Sequence, residues 1–194
     1  MTTTLRALMI EDSLDDAELA AAQLRLAGFA VGHERVDTEA AMRAALAEAA
    51  WDVILCDFSM PRFEAMRALA VARELCPETP FVIISGTIGE DAAVAAMRAG
   101  AHDYFIKGNL ARLGSAVERM VAEAEVARQG QRTRDALRDA EERFRLLMDG
   151  VEDVAILMVD PVGTIVSWYV GAERLFGYEA AEAVGRDFAM IFTP

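Results

Sequence analysis

The sequence lacks several features that would assign the protein to particular classes. It has only two cysteines, Cys56 and Cys76, which form neither a disulfide framework nor a metal-ligand spacing. It has no run of about 18 or more apolar residues, so no segment is predicted to span a membrane. The N-terminus does not have the basic and then apolar layout of a signal peptide. These absences favour a cytoplasmic protein.

Basic residues are also scarce. The chain has 19 Lys and Arg against 32 Asp and Glu, which gives a formal net charge of −13. Because binding to a phosphate backbone needs a basic face, we expect no direct binding of nucleic acid.

The first part of the chain alternates short apolar segments with helical patterns. The predicted strands are residues 5–10, 29–36, 53–56, 81–84 and 104–106. The predicted helices are residues 14–27, 38–49, 63–75 and 90–99. Short, continuous apolar strands that alternate with helices predict an α/β fold, a doubly wound parallel sheet with helices on both faces.

Residues 110–148 are predicted to form one long helix. Their apolar residues keep a 3,4 spacing in two sets, and the second set is out of phase with the first because of a slip near Gly130. The helix either packs on its own domain or forms a parallel coiled coil with a second chain. We expect the coiled coil, and therefore a homodimer through residues 110–148, because no other segment accounts for the second apolar stripe.

Polar side chains follow four of the predicted strands. They are Glu11 and Asp12 after the first strand, Asp57 after the third, Ser85 after the fourth and Lys107 after the fifth. An acidic residue after one strand is common in loops and would be weak evidence. Because the C-terminal ends of parallel strands lie on one edge of a doubly wound sheet, the whole set indicates a functional site.

The chemistry of this set is coherent. Three converging carboxylates repel each other and need a cation, and oxygen-only ligands suit Mg²⁺. A carboxylate can also attack phosphorus and form an aspartyl phosphate. Lys107 would supply positive charge to the phosphoryl oxygens and the hydroxyl of Ser85 would supply a directed hydrogen bond.

Residues 5 to about 125 resemble the receiver (response-regulator) domain of two-component systems. The matching segments are Ile10-Glu11-Asp12, Cys56-Asp57-Phe58-Ser59-Met60-Pro61, Ile84-Ser85-Gly86 and Tyr104-Phe105-Ile106-Lys107. The resemblance implies a flavodoxin-like five-stranded sheet of order 2-1-3-4-5 and a receiver domain over residues 1–125. It also implies a histidine kinase as the phosphoryl donor.

The same resemblance implies a role for each site residue. Asp57 is implied to be the phosphoacceptor, with Ser85 in contact with the phosphoryl group and Lys107 paired with it. Mg²⁺ would be bound directly by Asp12, mostly through water by Glu11, and by the backbone carbonyl of Ser59. Tyr104 would be the aromatic residue whose side-chain rotamer reports the switch. Two positions depart from the family pattern, Gly108 where proline usually follows the lysine and Ala65 where glycine is frequent. Neither departure removes a chemical group.

The lifetime of an aspartyl phosphate depends on groups that orient the attacking water. An acid or amide helps the attack of water when it lies two residues after the phosphoacceptor or two residues after the hydroxyl residue. These positions are occupied here by Ser59 and Thr87. Because hydroxyls orient water poorly, we predict a long-lived phosphoryl group for a receiver.

Residues from about 141 to 194 look like the first half of a PAS sensor domain. The matching residues are Glu141-Glu142-Arg143-Phe144, Asp160, Gly163, Ile165, Trp168, Gly171-Ala172-Glu173, Leu175-Phe176-Gly177-Tyr178 and Val184-Gly185. We expect strands over residues 154–159 and 164–168, a helical connector over residues 110–148 and an incomplete α+β PAS segment over residues 149–194. No cysteine or histidine follows His102, so this segment holds neither a flavin-adduct cysteine nor a haem-ligating histidine, and its ligand stays unknown.

Several alternatives stay open. The parent protein is expected to be a hybrid kinase or regulator, or else the front end of an enzyme that makes or degrades a cyclic dinucleotide second messenger. A phosphatase with an aspartate nucleophile would want a second aspartate where Ser59 stands. A flavodoxin-like cofactor module would need a glycine- and hydroxyl-rich phosphate loop, whereas Glu11 and Asp12 would repel phosphate there.

Overall fold

The computed structural model describes residues 3–86, 89–150 and 154–192, so Thr87 lies outside the described residues. The chain divides into two compact units, residues 1–130 and residues 131–194.

The first unit alternates strands and helices. Its strands are β1 (Thr3–Ile10), β2 (Phe29–Val36), β3 (Val53–Asp57), β4 (Phe81–Ser85) and β5 (Asp103–Ile106). Its helices are α1 (Leu14–Leu26), α2 (Glu39–Glu48), α3 (Ala65–Leu75), α4 (Glu90–Arg98) and the start of α5 (Leu113–Asp149). The five strands form one parallel sheet in the order β2-β1-β3-β4-β5, which confirms the predicted fold class.

Two apolar layers cover the sheet. On one face, α2, α3 and Ala96 of α4 pack against one set of strand side chains. On the other face, α1 and the first turns of α5 pack against the alternate set. The central strands β3 and β4 are buried along their whole length, which explains their continuous apolar sequences.

Hydroxyl caps begin two of the helices. The Ser13 Oγ accepts a hydrogen bond from the backbone N–H of Asp16 at 3.3 Å, and the Thr38 Oγ1 accepts one from Ala41 at the same distance. Each cap satisfies one of the amide groups that a helix start leaves without a partner.

Two helix starts differ from the sequence expectation. Helix α3 begins at Ala65 rather than at residue 63, because Glu64 has an extended backbone while Phe63 is buried in the core from the preceding loop. Helix α5 begins at Leu113 rather than at residue 110, because Leu110 lies in a turn whose carbonyl accepts the Leu113 amide hydrogen bond at 2.9 Å. In both cases the apolar residue is needed for the core and not for the helix.

The second unit contains the rest of α5 and a small α+β arrangement. Its other elements are β6 (Leu157–Val159), β7 (Ile165–Trp168), α6 (Val170–Phe176), α7 (Ala180–Ala183) and a 3₁₀ turn at Phe188–Phe192. The strands form an antiparallel hairpin whose register shifts between Met158 and Val159. Strand β6 begins at Leu157 rather than at the predicted residue 154. In the part of the chain that the structure describes, no helix is both long enough and apolar enough to cross a membrane.

Candidate functional site: a carboxylate and lysine cluster at the sheet edge

The parallel register brings the predicted site residues to one edge of the sheet. Ile10 of β1 pairs with Cys56 of β3, so Glu11 and Asp57 follow on neighbouring strands. Asp57 in turn pairs with Ile84, so Ser85 is the next residue along β4. Lys107 directly follows β5, the strand next to β4 in the sheet, and its backbone N–H donates to the Ser85 carbonyl at 2.7 Å.

Three carboxylates meet at this edge. Oxygen atoms of Glu11, Asp12 and Asp57 all lie within 4.8 Å of one another. Glu11 and Asp57 are buried, with 7% and 6% of their surfaces exposed, whereas Asp12 is exposed. Because like charges at this separation repel each other and burial removes the screening water, the cluster needs a cation.

Lys107 supplies positive charge to this cluster. Its Nζ atom lies 3.0 Å from Glu11 Oε2, 3.2 Å from Asp57 Oδ2 and 2.6 Å from Asp16 Oδ2. Burial lowers the pKa of the Lys107 ammonium, but the carboxylate partners, Asp16 first among them, outweigh burial and raise this pKa above its ordinary value of 10.5. Lys107 therefore stays charged in the folded protein, and it is the only lysine in the chain.

The Glu11 carboxyl is under opposing influences. Burial raises its pKa above the ordinary value of 4.5, and the negative charge of Asp57 adds to that rise. Two hydrogen bonds lower the pKa of Glu11, one from the Ser13 backbone N–H at 3.1 Å and one from Lys107. The net pKa is raised, which is the direction expected for a carboxyl that is held beside other carboxylates and away from water.

Backbone and side-chain contacts fix the loops that carry the carboxylates. The Arg35 Nη1 donates to the Glu11 carbonyl at 2.8 Å and so braces the chain where it leaves β1. The backbone N–H of Ser59 donates to Asp57 Oδ1 at 3.3 Å. These contacts hold the backbone at Glu11 and the carboxylate of Asp57 in place.

Ser85, Ser59 and Tyr104 occupy different surroundings. Ser85 is fully buried at the end of β4, whereas Ser59 is exposed in the loop after β3. Tyr104 is half-buried on β5, and its ring meets that of Phe58 edge to face at a centroid separation of 6.4 Å. Phe58 directly follows Asp57, so this ring contact links Tyr104 to the loop that holds the carboxylate.

Sequence reasoning missed two residues of the site. They are Asp16, an acidic residue in the first turn of α1, and Arg35, the residue before the last one of β2. A signal for Asp16 exists in the sequence. It is the third residue of a helix that starts directly after the acidic pair, and the N-cap hydrogen bond from its own amide to Ser13 fixes that turn beside the sheet edge.

His102 lies just before β5 and has a structural role. Its Nδ1 accepts a hydrogen bond from the Phe81 N–H at 3.1 Å, and its own backbone N–H donates to the Phe81 carbonyl at 2.8 Å. Burial, and next the positive charge of Arg73, lower the pKa of His102 below its ordinary value of 6.5. The ring is therefore held neutral as a hydrogen-bond acceptor between β4 and β5.

Comparisons with known proteins agree with this geometry. Among curated proteins, the transcriptional regulatory protein PrrA of Mycobacterium tuberculosis is 32% identical over 105 residues, which cover 54% of this chain and 44% of PrrA. The chain spans less than half the length of the curated relatives it matches.

Solved structures show the same fold. A response regulator receiver domain protein from Clostridium thermocellum matches with a TM-score of 0.56 and 21% identity, over 63% of this chain and 98% of that one. The beryllofluoride-activated NtrC4 receiver domain dimer matches with a TM-score of 0.54 and 22% identity, over 61% of this chain and 98% of that one. The family of response regulator receiver domains matches residues 7–118, more than half of the sequence. With its parallel five-stranded sheet and its acidic edge, this chain belongs to the response regulator receiver domain family.

Proposed function

We propose that the chain accepts a phosphoryl group from a histidine kinase on Asp57. One observation carries this proposal. A buried carboxylate at the end of β3 lies 3.2 Å from the ammonium of Lys107 and within 4.8 Å of two further carboxylates. This arrangement provides a nucleophile, a fixed positive charge and an oxygen-lined cation site in one place.

The proposed transfer uses groups at this edge and the histidine of the donor. An oxygen of Asp57 attacks the phosphorus, and the bond between phosphorus and the donor histidine nitrogen breaks. The electron pair of that bond stays on the imidazole, and an aspartyl phosphate forms. Lys107 donates to one phosphoryl oxygen, and the Ser85 hydroxyl donates to another. Both groups act by stabilising charge that spreads over these oxygens during transfer.

The residues at the edge fit a magnesium ion. The donors are carboxylate oxygens from Glu11, Asp12 and Asp57, and the backbone carbonyl of Ser59 would complete the set. Hard oxygen donors of this kind suit Mg²⁺ and would leave coordination positions for water and for a phosphoryl oxygen. When bound, the ion would supply positive charge to the phosphoryl oxygens.

We divide the chain into a receiver domain over residues 1–125, a helical connector over residues 110–148 and a PAS-like segment over residues 149–194. Tyr104 would link phosphorylation to the start of α5, because its ring contacts the residue after Asp57 while Tyr104 lines a cleft with the α5 residues Ser115 and Ala116. The PAS-like interpretation is supported by the β6-β7 hairpin and by the small core around Trp168, whose indole N–H donates to the Tyr178 carbonyl at 2.9 Å.

We also propose that the chain forms a homodimer through residues 110–148. Helix α5 keeps an apolar stripe in its second half, where Leu137 and Leu147 are 60% and 67% exposed. An exposed apolar stripe on a long helix favours pairing with a second copy. The stripe is narrower than the sequence suggested, because Phe144 contacts the Tyr169 ring at a centroid separation of 6.4 Å within the same unit.

Acetyl phosphate with Mg²⁺ would test the phosphoacceptor assignment. The intact chain should gain one phosphoryl group, as measured by intact-protein mass spectrometry, and Asp57→Asn should gain none. Asp37→Asn is the matched control, because Asp37 also follows a strand at this edge but is not one of the three clustered carboxylates. Equal labelling of all three proteins would show that the nucleophile is elsewhere.

A further inference from the structure

The strongest unassigned feature of the site is the carboxylate of Asp16 on the first turn of α1. Its Oδ2 lies 2.6 Å from the Lys107 Nζ, which is closer than the oxygen of either Glu11 or Asp57. Asp16 is not among the three carboxylates that cluster within 4.8 Å, so it contacts the lysine without belonging to the cation site.

The geometry gives each N–H of the lysine one partner. An ammonium has three donors, and three carboxylates lie within 3.2 Å of Lys107 Nζ. The side chains of Glu11 and Asp57 are 9% and 5% exposed, whereas that of Asp16 is 38% exposed. Asp16 therefore contacts the ammonium from the more solvent-exposed part of the site.

The three carboxylates would not all keep their contact with Lys107 during phosphoryl transfer. A phosphorylated Asp57 is an acyl phosphate and no longer a free carboxylate. A cation held by the acidic cluster would attract the Glu11 carboxylate and repel the Lys107 ammonium. Asp16, outside the cluster, is the carboxylate that would still hold Lys107 in both situations.

We propose that Asp16 is a positioning residue that keeps the Lys107 ammonium directed at the phosphoryl site throughout the reaction. The proposal rests on the phosphoacceptor function proposed above. Asp16 is well placed for this role because the N-cap hydrogen bond to Ser13 fixes its backbone and because a carboxylate is favourable at a helix N-terminus. Without Asp16, the long lysine side chain would lose the partner that the reaction does not consume.

The variants can be matched closely. Asp16→Asn is isosteric and removes the charge, while Asp16→Glu keeps it. Asp15→Asn is the control, because Asp15 lies in the same first turn, is exposed and carries the same charge. Circular dichroism spectra of all three variants should match that of the unmodified chain, which would show that each variant folds.

The first measurement needs neither metal nor phosphate. Because Lys107 is the only lysine, protein labelled with ¹⁵N-lysine gives a single side-chain ammonium signal in NMR. Hydrogen bonding slows exchange of these protons with water, so the signal should be visible in the unmodified chain and in Asp15→Asn. It should be broadened or lost in Asp16→Asn and restored in Asp16→Glu. An unchanged signal in Asp16→Asn would overturn the proposed contact.

The second measurement is the initial rate of phosphorylation by acetyl phosphate at saturating Mg²⁺. Asp16→Asn should reduce the rate about tenfold, the effect of losing one charge-assisted hydrogen bond at a partly exposed position. Asp15→Asn should change it by less than about twofold, as one exposed charge does. If Asp16 acts through the lysine, Asp16→Asn should have no further effect in a Lys107→Ala background.

The outcomes separate this inference from the phosphoacceptor function. If the unmodified chain is labelled and Asp16→Asn is labelled at the same rate or faster, Asp16 does not position Lys107 for transfer. If the unmodified chain is not labelled at all, the proposed function fails, and the ammonium signal still tests whether Asp16 holds the lysine.

Discussion

Gly114, in the first turn of α5, packs against Ala27 at the C-terminal cap of α1, and replacing it should loosen the first unit. A Cβ built on Gly114 would lie 2.1 Å from the Cβ of Ala27. Carbon atoms in contact normally lie about 3.5–4.0 Å apart, so Gly114→Ala would force the two backbones apart by about 1.5 Å. Neither methyl group has a side-chain torsion that would relieve the clash.

The magnitude follows from two opposing effects. Overpacking a buried contact destabilises a protein by about 1–3 kcal/mol. Replacing glycine by alanine in a helix interior stabilises by about 0.5–1 kcal/mol, and less near an end, where Gly114 is the second residue of α5. The steric effect wins, so we expect a net loss of about 1–2 kcal/mol in the free energy of unfolding of the first unit.

Hydrogen exchange at the amides of β3 measures this loss for the first unit alone. Exchange there should accelerate about tenfold in Gly114→Ala, because about 1.4 kcal/mol corresponds to a factor of ten. Gly32→Ala is the control, since a Cβ at Gly32 meets nothing within 4 Å. The double variant Ala27→Gly/Gly114→Ala should recover most of the stability, because the clashing methyl group is gone. Unchanged exchange in Gly114→Ala, or a double variant no better than the single one, would refute the proposed close packing.

Three further predictions concern the rest of the chain. Because the folded state lowers the pKa of His102 below 6.5, the part of the stability due to this ring is complete above pH 6.5 and is lost as the pH falls through the folded-state pKa. Urea unfolding should therefore show a weaker acid dependence in His102→Asn, and an identical dependence would contradict the assigned contact. The aspartyl phosphate should be long-lived, since Ser59 and Thr87 carry hydroxyls where an acid or amide would orient water; decay within seconds in EDTA-quenched samples would refute this. Light scattering should give a dimer at micromolar concentration, and Leu137→Glu/Leu147→Glu should give a monomer; a monomeric unmodified chain would exclude the proposed coiled coil.

The parallel sheet and the edge at which the site lies were predictable from the sequence pattern, and the order of the strands followed from the resemblance to receiver domains. Buried parallel strands such as β3 and β4 have continuous apolar sequences, and the handedness of their connections puts Asp57 and Lys107 at one edge. These features depend on local pattern and on topology, both of which the sequence carries directly.

Other features depend on distances between elements and were not predictable. The contact of Asp16 with Lys107 joins residues 91 positions apart, so the place of Asp16 in the first turn of α1 does not by itself predict this contact. The start of α5 at Leu113 was also missed, because a buried leucine at residue 110 suits a turn as well as a helix. In the second unit, the contact between Phe144 and Tyr169 covers part of a stripe that the helical spacing alone leaves open.

Locating the phosphoryl group in the chain would decide whether Asp57 is the phosphoacceptor. The chain would be treated with acetyl phosphate and Mg²⁺, reduced with borohydride to convert an aspartyl phosphate into homoserine, digested and sequenced by tandem mass spectrometry. We predict homoserine at position 57 in the peptide that contains Cys56 and Phe58, and none in samples without acetyl phosphate. Homoserine at Asp12 or at another carboxylate, with residue 57 unchanged, would contradict the account.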